Sequence, residues 1–351
     1  IKTLPTTIKT NMAKILVTGG LGFIGSHTVV ELVNAGYEPV IVDDLSNSHP
    51  KIVDQLAKII GYKPEFHKLD LCDESAVYDF AQNNKDITGI IHFAAFKAVG
   101  ESVQHPIKYY RNNFYSLLNV INAFEGRGIN LVFSSSCTVY GQPDNLPVTE
   151  NAQVKPAESP YGNTKQIAEE ILKDMSAAGS AYKIVSLRYF NPVGAHATAL
   201  IGELPIGVPQ NLVPFITQTA IGKREKITVF GNDYNTPDGS CVRDYIHVVD
   251  LAKAHVAALR FMETENFKGY DVFNIGTGKG SSVLEVINTF EQSTGQKLNY
   301  KIGPRRGGDV EQVWGDVTKS KNILKWQTEL DLDTMMQSAW EWEKYIDQNP
   351  L

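Results

Sequence analysis

One stretch constrains this chain more than any other: Val17-Thr18-Gly19-Gly20-Leu21-Gly22-Phe23-Ile24-Gly25. It follows Ala13-Lys14-Ile15-Leu16, a short apolar run that reads as a buried strand, and precedes residues 27–33, whose apolar spacing reads as a helix. A strand, a glycine turn and a helix in that order form a cradle for a dinucleotide pyrophosphate. Gly19 permits the tight turn, Gly22 lets backbone approach the phosphates, and Gly25 lets the helix pack close to the strand. The helix start then offers unpaired N–H groups and its positive dipole end to the anion. The placement carries the signal, because loops collect glycine for many reasons.

The chain downstream repeats the strand–helix alternation. Pro39-Val40-Ile41-Val42 reads as a second strand ending in Asp43-Asp44. An acidic side chain there accepts from ribose hydroxyls and repels a 2'-phosphate, which selects NAD over NADP. Asn47 and Ser48 follow in the same loop, on the adenosine side. Residues 65–70 read as a third strand, ending in Asp70-Leu71, and residues 89–95 as a fourth, with helical patterns at 51–60 and 74–82. The predicted fold is α/β: a doubly wound parallel sheet of the Rossmann kind, with a smaller mixed α/β lobe after it. Ligands of such sheets bind beyond the carboxyl ends of the strands. Phe93, Ala94, Ala95 and Lys97 are therefore expected to face the cofactor, the alanines allowing close approach. A long helix over 106–126 carries Asn112 and Asn113, expected to bond either cofactor or the neighbouring loop.

A fifth strand, Asn130-Leu131-Val132-Phe133, runs into Ser134-Ser135-Ser136-Cys137-Thr138-Val139-Tyr140-Gly141. Hydroxyls gathered at the carboxyl end of a central strand lie where chemistry occurs. A proline-bearing loop then delivers Tyr161-Gly162-Asn163-Thr164-Lys165 onto a helix. Tyr161 and Lys165 are four apart and share a face. An ammonium beside a phenol favours the phenolate; moving a phenol from about 10 to near 7 takes ~4 kcal/mol of differential stabilisation. Lys165 and a positively charged nicotinamide are the expected sources. A lone Tyr/Lys pair is commonplace, and the pairing with the glycine turn and serine strand sets this one apart.

A sixth strand, residues 183–187, continues into Arg188-Tyr189-Phe190-Asn191. The regular beat then stops, which divides the chain into a dinucleotide domain (12–190) and a substrate domain (191–351), some of whose segments return to the first. Asn191, Asn211, Arg243 and the Arg305-Arg306 pair suit a diphosphate, since guanidinium forks match phosphate oxygens. Residues 274–280 look like a second phosphate loop but lack the full spacing, and are read as structural, ahead of a helix cap at Ser281-Ser282. Further helices are expected at 212–222, 281–292 and 333–347.

The net charge of -6 over 351 residues gives no case for binding nucleic acid or an anionic membrane. No apolar run approaches the ~18 residues of a membrane span. Cys72, Cys137 and Cys241 have no paired spacing, which suits a reducing cytoplasm. His27, His67 and His196 stand apart from one another and from cysteine in sequence, so no metal site is expected. Residues 1–11 precede Met12 and read as an added leader or a loose tail, set aside from the fold.

With these residues in view, the chain resembles the UDP-glucose (UDP-galactose) 4-epimerases, extended short-chain dehydrogenase/reductases, over about residues 13–348. The likeness rests on the glycine turn, on His92-Phe93-Ala94-Ala95-Phe96-Lys97 through Ser102, on Phe133 to Gly141, and on Tyr161-x-x-x-Lys165. It extends through Arg188 to His196, Phe230 to Tyr234 and Val242 to His247. The resemblance implies Tyr161 as base, Ser136 orienting the sugar 4'-hydroxyl, and Lys165 bonding the nicotinamide ribose. It implies NAD contacts from Phe23, Ile24, Asp43, Asp44, Asn47, Ser48, Asp70, Leu71, Phe93 to Lys97, Asn112 and Phe190. UDP-sugar contacts are implied for Asn191, Asn211, Leu212, Phe230, Arg243, Arg306 and Asp309. Val313 stands where relatives with a bulky Tyr exclude N-acetylated sugars, so activity on UDP-N-acetylhexosamines is expected too. Cytoplasmic homodimers serving galactose metabolism or surface-polysaccharide supply are the family pattern. Dehydratases on the same scaffold resemble Thr-Asp-Glu-Val-Tyr-Gly where this chain has Cys137-Thr138-Val139-Tyr140-Gly141. The acid needed to expel a 6'-hydroxyl is missing here.

Overall fold

The computed structural model describes residues 12–264, 266–306 and 310–351. The leader call on 1–11 and the substrate call on Asp309 lie outside these described residues. The first half alternates as expected: β1 (Lys14–Thr18), α1 (Phe23–Asn34), β2 (Glu38–Asp43), α2 (Ile52–Ile60), β3 (Glu65–Lys68), α3 (Glu74–Asn83) and β4 (Ile87–His92). Then come α4 (Val99–Gln104), α5 (Pro106–Ala123), β5 (Asn130–Ser136), α6 (Pro160–Ala177) and β6 (Lys183–Tyr189). Alternate residues of β1 go to opposite faces, Ile15 and Val17 to one apolar layer and Leu16 to the other. Both faces are covered by helices, which is why the strand reads as a continuous apolar run.

The second half holds β7 (Asn191–Val193), α7 (Leu212–Ala220), β8 (Ile227–Phe230), β9 (Val242–Arg243), β10 (Tyr245–His247), α8 (Val248–Glu263) and β11 (Tyr270–Ile275). It closes with β12 (Ser281–Ser282), α9 (Val283–Thr294), β13 (Tyr300–Gly303), β14 (Gln312–Val313) and α10 (Leu332–Gln348). The main sheet has seven strands in the order β11-β6-β5-β4-β1-β2-β3, paired parallel throughout. Strand order reverses between β1 and β4, and a crevice opens at such a switch point beyond the strand ends. Small sheets and a separate apolar cluster, including Ile216, Phe290, Met336 and Trp340, build the second lobe.

The differences from the sequence reading are instructive. α8 and β11 had no counterpart in it, yet α8 packs on α1 and β11 completes the main sheet beside β6. α8 is buried on nearly every side, at Leu251, Ala252, Ala254, His255, Ala258 and Leu259 among others, so it has no clean polar stripe to mark it. β5 continues through the serines, which pair with β6 as Ser134↔Leu187, Ser135↔Arg188 and Ser136↔Tyr189. β4 stops at His92, three residues short of the expected end. Ser282 does cap α9, in a full capping box with Glu285. No helix among the described residues is long and apolar enough to cross a membrane.

Candidate active site at the strand ends

The glycine turn after β1 is built as its residue types require. Gly19 has φ +66°, and a Cβ there would lie 3.1 Å from the Ala94 nitrogen, at the neighbouring crossing after β4. At Gly25 a Cβ would fall 2.3 Å from the Gly19 carbonyl oxygen, so α1 can sit on the turn only without a side chain. No side chain caps the start of α1, and its first turn holds no acidic residue. The helix therefore presents its positive end to the crevice, an arrangement suited to a pyrophosphate.

Asp43 closes the adjoining end of β2. Its Oδ2 accepts from the Leu21 N–H at 3.1 Å, and its Oδ1 accepts from Leu45 N–H (2.9 Å) and the Ser48 hydroxyl (2.6 Å). Burial raises its carboxyl above the ordinary value, opposed by those donors. A carboxylate has about four acceptor sites, so capacity remains for a ribose hydroxyl. Asp44 accepts from Ser46 N–H, and Asn47 is exposed. Asp70 accepts from Cys72 N–H, and Leu71 is buried beneath the same edge. Phe93 and Ala94 are pinned by their N–H groups to the Thr18 carbonyl and hydroxyl. Asn113 serves the neighbouring loop, bonding both Phe96 backbone groups and Thr164, while Asn112 donates to Asn113. These positions make a cradle, an acidic wall and a small-residue floor that fit a dinucleotide.

The Tyr161/Lys165 pair enters from α6, whose start is fixed by Ser159 capping the Gly162 N–H. Tyr161, Lys165 and Ser136 are all buried. Lys165 Nζ donates to the Ser134 carbonyl at 2.6 Å and lies 6.0 Å from the Tyr161 ring centroid. Burial lowers the Lys165 ammonium to about 8, with Glu169 opposing. Burial also pushes the Tyr161 phenol far above its ordinary range; Tyr189 adds to the rise and the Ser136 hydroxyl opposes it. The sequence reading put the starting point at an unperturbed phenol. The structure corrects that: desolvation enlarges the stabilisation that Lys165 and a bound cation must supply.

The expected substrate residues that the structure describes lie in the second lobe, on β7, β8, β9 and β14, just after β13 and at the start of α7. β7 pairs Asn191 with Tyr245, and β14 pairs Val313 with Arg243. Val313 packs with Phe190, Val139 and Tyr140 in one apolar cluster just past the carboxyl end of β5. Arg306 lies over the Phe230 ring at 5.6 Å, and Arg243 donates to the Val242 carbonyl. Asn211 stands at the N-cap position of α7 but its side chain makes no capping bond; its amide donates instead to Glu203 at 2.6 Å, and Lys97 reaches the same carboxylate at 3.5 Å. Arg305, grouped with Arg306 in the sequence, is instead engaged with Asp233 and the Tyr234 ring. The 274–280 segment wraps the buried Asp244, which accepts from Thr277 N–H, Thr277 hydroxyl and Gly278 N–H. That loop is structural, as its spacing implied. Among the described residues, no group of three or more His, Cys, Asp or Glu is placed to hold a metal ion.

Several residues of the site escaped the sequence reading. Tyr189 bonds Ser134 at 2.5 Å between the oxygens, and the Thr138 hydroxyl is buried without a partner, next but one to Ser136. Burial pushes the Cys137 thiol up to about 12, so it stays protonated at neutral pH. Glu169, on the face of α6 that carries Tyr161 and Lys165, signals itself by its i, i+4, i+8 spacing.

Comparison with known proteins agrees with this geometry. The family model described as GDP-mannose 4,6 dehydratase matches residues 16–339. The UDP-glucose 4-epimerase of Dictyostelium discoideum is 47% identical over 331 residues, covering 94% of this chain and 95% of that protein. The Stenotrophomonas maltophila UDP-glucose-4-epimerase, solved with bound NAD and formylated UDP-arabinopyranose, superposes with a TM-score of 0.92. It is 44% identical, over 96% of this chain and 99% of that one. The Bifidobacterium longum UDP-glucose 4-epimerase in complex with NAD+ and UDP gives a TM-score of 0.89 at 45% identity, over the same shares.

Proposed function

The chain belongs to the UDP-glucose 4-epimerase family, and from that premise we propose the roles by which its residues interconvert UDP-glucose and UDP-galactose. NAD, when bound, supplies a reversible hydride acceptor for C4' of the sugar. Gly19, Gly22, Phe23, Ile24 and Gly25 cradle its pyrophosphate, and Asp43, Asp44, Asn47 and Ser48 hold its adenosine end. Asp70, Leu71, Phe93 to Ala95, Lys97, Asn112 and Phe190 complete the cofactor wall.

Tyr161 takes the proton from the 4'-hydroxyl and later returns it, acting as general base and then acid. Ser136 holds that oxygen, and Lys165 stabilises the phenolate against the burial that otherwise keeps Tyr161 neutral. The 4-keto sugar must present its other face before reduction. The UDP end is therefore held firmly by Asn191, Asn211, Leu212, Phe230, Arg243, Arg306 and Asp309, and the hexose loosely. Residues 12–190 serve the cofactor together with returning segments such as α8 and β11, and the rest of 191–351 serves the substrate. The observation that carries the reading is Ser136, Tyr161 and Lys165 buried together at the end of β5, one strand from the switch point. A dehydratase on this frame would need an acid where Cys137 and Thr138 stand.

Val313 is small, and the pocket it walls admits an N-acetyl group, so UDP-N-acetylhexosamines are substrates as well. A second copy of the chain packs on α5 and α6, where Ile107 of α5 is 74% exposed on the helix that also exposes Tyr115 and Leu118. Three free cysteines among the described residues, two of them half-buried, suit a reducing cytoplasm. The test is to incubate the purified protein with UDP-galactose without added NAD, beside Tyr161→Phe. The native chain yields UDP-glucose; the variant keeps its NAD and loses most turnover. An active Tyr161→Phe protein would refute the assignment.

A further inference from the structure

Behind the catalytic strand end lies a buried charge network that the chemistry above does not use. Arg188 faces the Glu169 carboxylate as a two-pronged fork: Nε to Oε1 at 2.9 Å and Nη2 to Oε2 at 2.5 Å. The Ser135 hydroxyl donates to Oε1 at 2.5 Å. Ser135 and Arg188 are register partners on β5 and β6, so two neighbouring strands grip one helix carboxylate from the same face. Arg188 Nη1 also donates to the Glu150 carbonyl, and its guanidinium lies 4.8 Å from the Tyr140 ring centroid. Tyr140 ends the 3-10 turn Cys137–Tyr140 that starts directly after Ser136, and its hydroxyl donates to Asn274 at 2.6 Å.

The position of this network gives it a purpose. Glu169 is one helical turn beyond Lys165 and two beyond Tyr161, on the same face of α6. Ser135 sits between Ser134, whose carbonyl holds Lys165, and Ser136 itself. One guanidinium thus touches both carriers of the catalytic set: the helix, through Glu169, and the serine turn, through Tyr140. We propose that Ser135, Glu169 and Arg188 are positioning residues that fix the height of α6 against β5 and so place Tyr161 and Lys165 on Ser136. A buried ion pair is weak evidence for stability, since apolar residues of similar volume often replace one without loss. Geometric control is a different matter, because a misplacement of about 1 Å at a reacting group costs about 10²-fold in rate. Glu169 has a second effect, favouring the charged form of its neighbour Lys165. The other groups facing that ammonium are the Tyr161 phenol, the Ser134 carbonyl, the Phe133 ring and the buried His92 on β4, itself kept neutral by burial.

The inference rests on the epimerase reading, and the experiment separates the two. The triple replacement Ser135→Ala, Glu169→Leu, Arg188→Met removes the network without stranding a buried charge. It is assayed beside the native holoenzyme and the single variant Ser135→Ala, for kcat and KM with UDP-galactose. The expected triple variant folds, keeps its NAD, and loses about 10²-fold in kcat with KM within about twofold. The single variant, short of one hydrogen bond, is expected to lose about fivefold in kcat at unchanged KM. A folded triple variant with native kcat overturns the inference. Should the triple variant not fold, the single variant decides: lost kcat supports the clamp and native kcat overturns it. A native protein without epimerase activity would sink the epimerase reading itself, whereas an active one with unaffected variants sinks only the clamp.

Discussion

Gly25→Ala puts the cofactor cradle to a quantitative test. The added methyl carbon would lie 2.3 Å from the Gly19 carbonyl oxygen and 2.8 Å from the Gly20 Cα. Both neighbours are backbone of the same tight turn, so no flexible side chain can swing away. Comfortable contact needs more than 3 Å, so the start of α1 must retreat by about 1 Å. Overpacking of this kind costs about 1–3 kcal/mol, and the backbone neighbours place it near the upper end. At roughly 2 °C per kcal/mol for a chain of this size, the melting temperature should fall by about 5 °C. The functional loss should be larger, because the same retreat carries the N–H groups at the helix start away from the pyrophosphate. The assay is differential scanning calorimetry together with NAD released per chain on denaturation. Gly100→Ala is the control: its methyl meets nothing within 4 Å, and Ala favours the helix there. The expected outcome is a destabilised, NAD-depleted Gly25→Ala beside a native-like Gly100→Ala. Full NAD content and an unchanged melting temperature in Gly25→Ala would refute the reasoning.

Other outcomes follow from the same geometry. Burial lowers His27 and His92 to about 3, and His247 and His255 to about 4. Because the unfolded values lie near 6.5, the stability these neutral rings confer is full above that pH and is lost as pH falls toward 4 and 3. At pH 5 the loss is about 2 kcal/mol per ring by the same linkage, so melts should drop steeply between pH 7 and 5; a flat profile would contradict the buried-histidine account. Val313→Tyr should abolish turnover of UDP-N-acetylgalactosamine while sparing UDP-galactose, as product analysis by mass and NMR will show; equal effects on both would argue against its place in the pocket wall. Ile107→Glu with Leu118→Lys should convert a dimer to monomers in light scattering, and an unchanged mass would remove α5 from the interface.

The legible parts of this molecule were those with short-range physical signatures. The Gly19–Gly25 turn states its conformation in its own residue types, and Tyr161 and Lys165 reveal a shared face by spacing alone. β1, β2, β4, β5 and β6 announce themselves as apolar runs because both faces of the sheet are covered, whereas β3, Glu65-Phe66-His67-Lys68, is a short and partly exposed edge strand. What sequence did not yield is what depends on distant partners. α8 lacks a polar stripe because it is enclosed by α1 and the sheet, and β11 joins β6 only after a long excursion through the second lobe. Arg305 and Arg306 are adjacent in sequence, but Asp233 and Tyr234, some seventy residues away, engage the first of them. The Ser135–Glu169–Arg188 clamp draws on three separate elements, so no window of sequence contains it. The upward shift of the Tyr161 phenol is likewise a property of the enclosing fold.

The central claim is that Tyr161 moves only a proton while hydride leaves C4' and returns to that same carbon inside the closed site. The most direct measurement uses UDP-galactose carrying deuterium at C4', incubated with the purified holoenzyme in ordinary water. The account predicts UDP-glucose of unchanged mass with the deuterium still at C4'. Deuterium washed out into solvent, or a product lighter by one water, would contradict it.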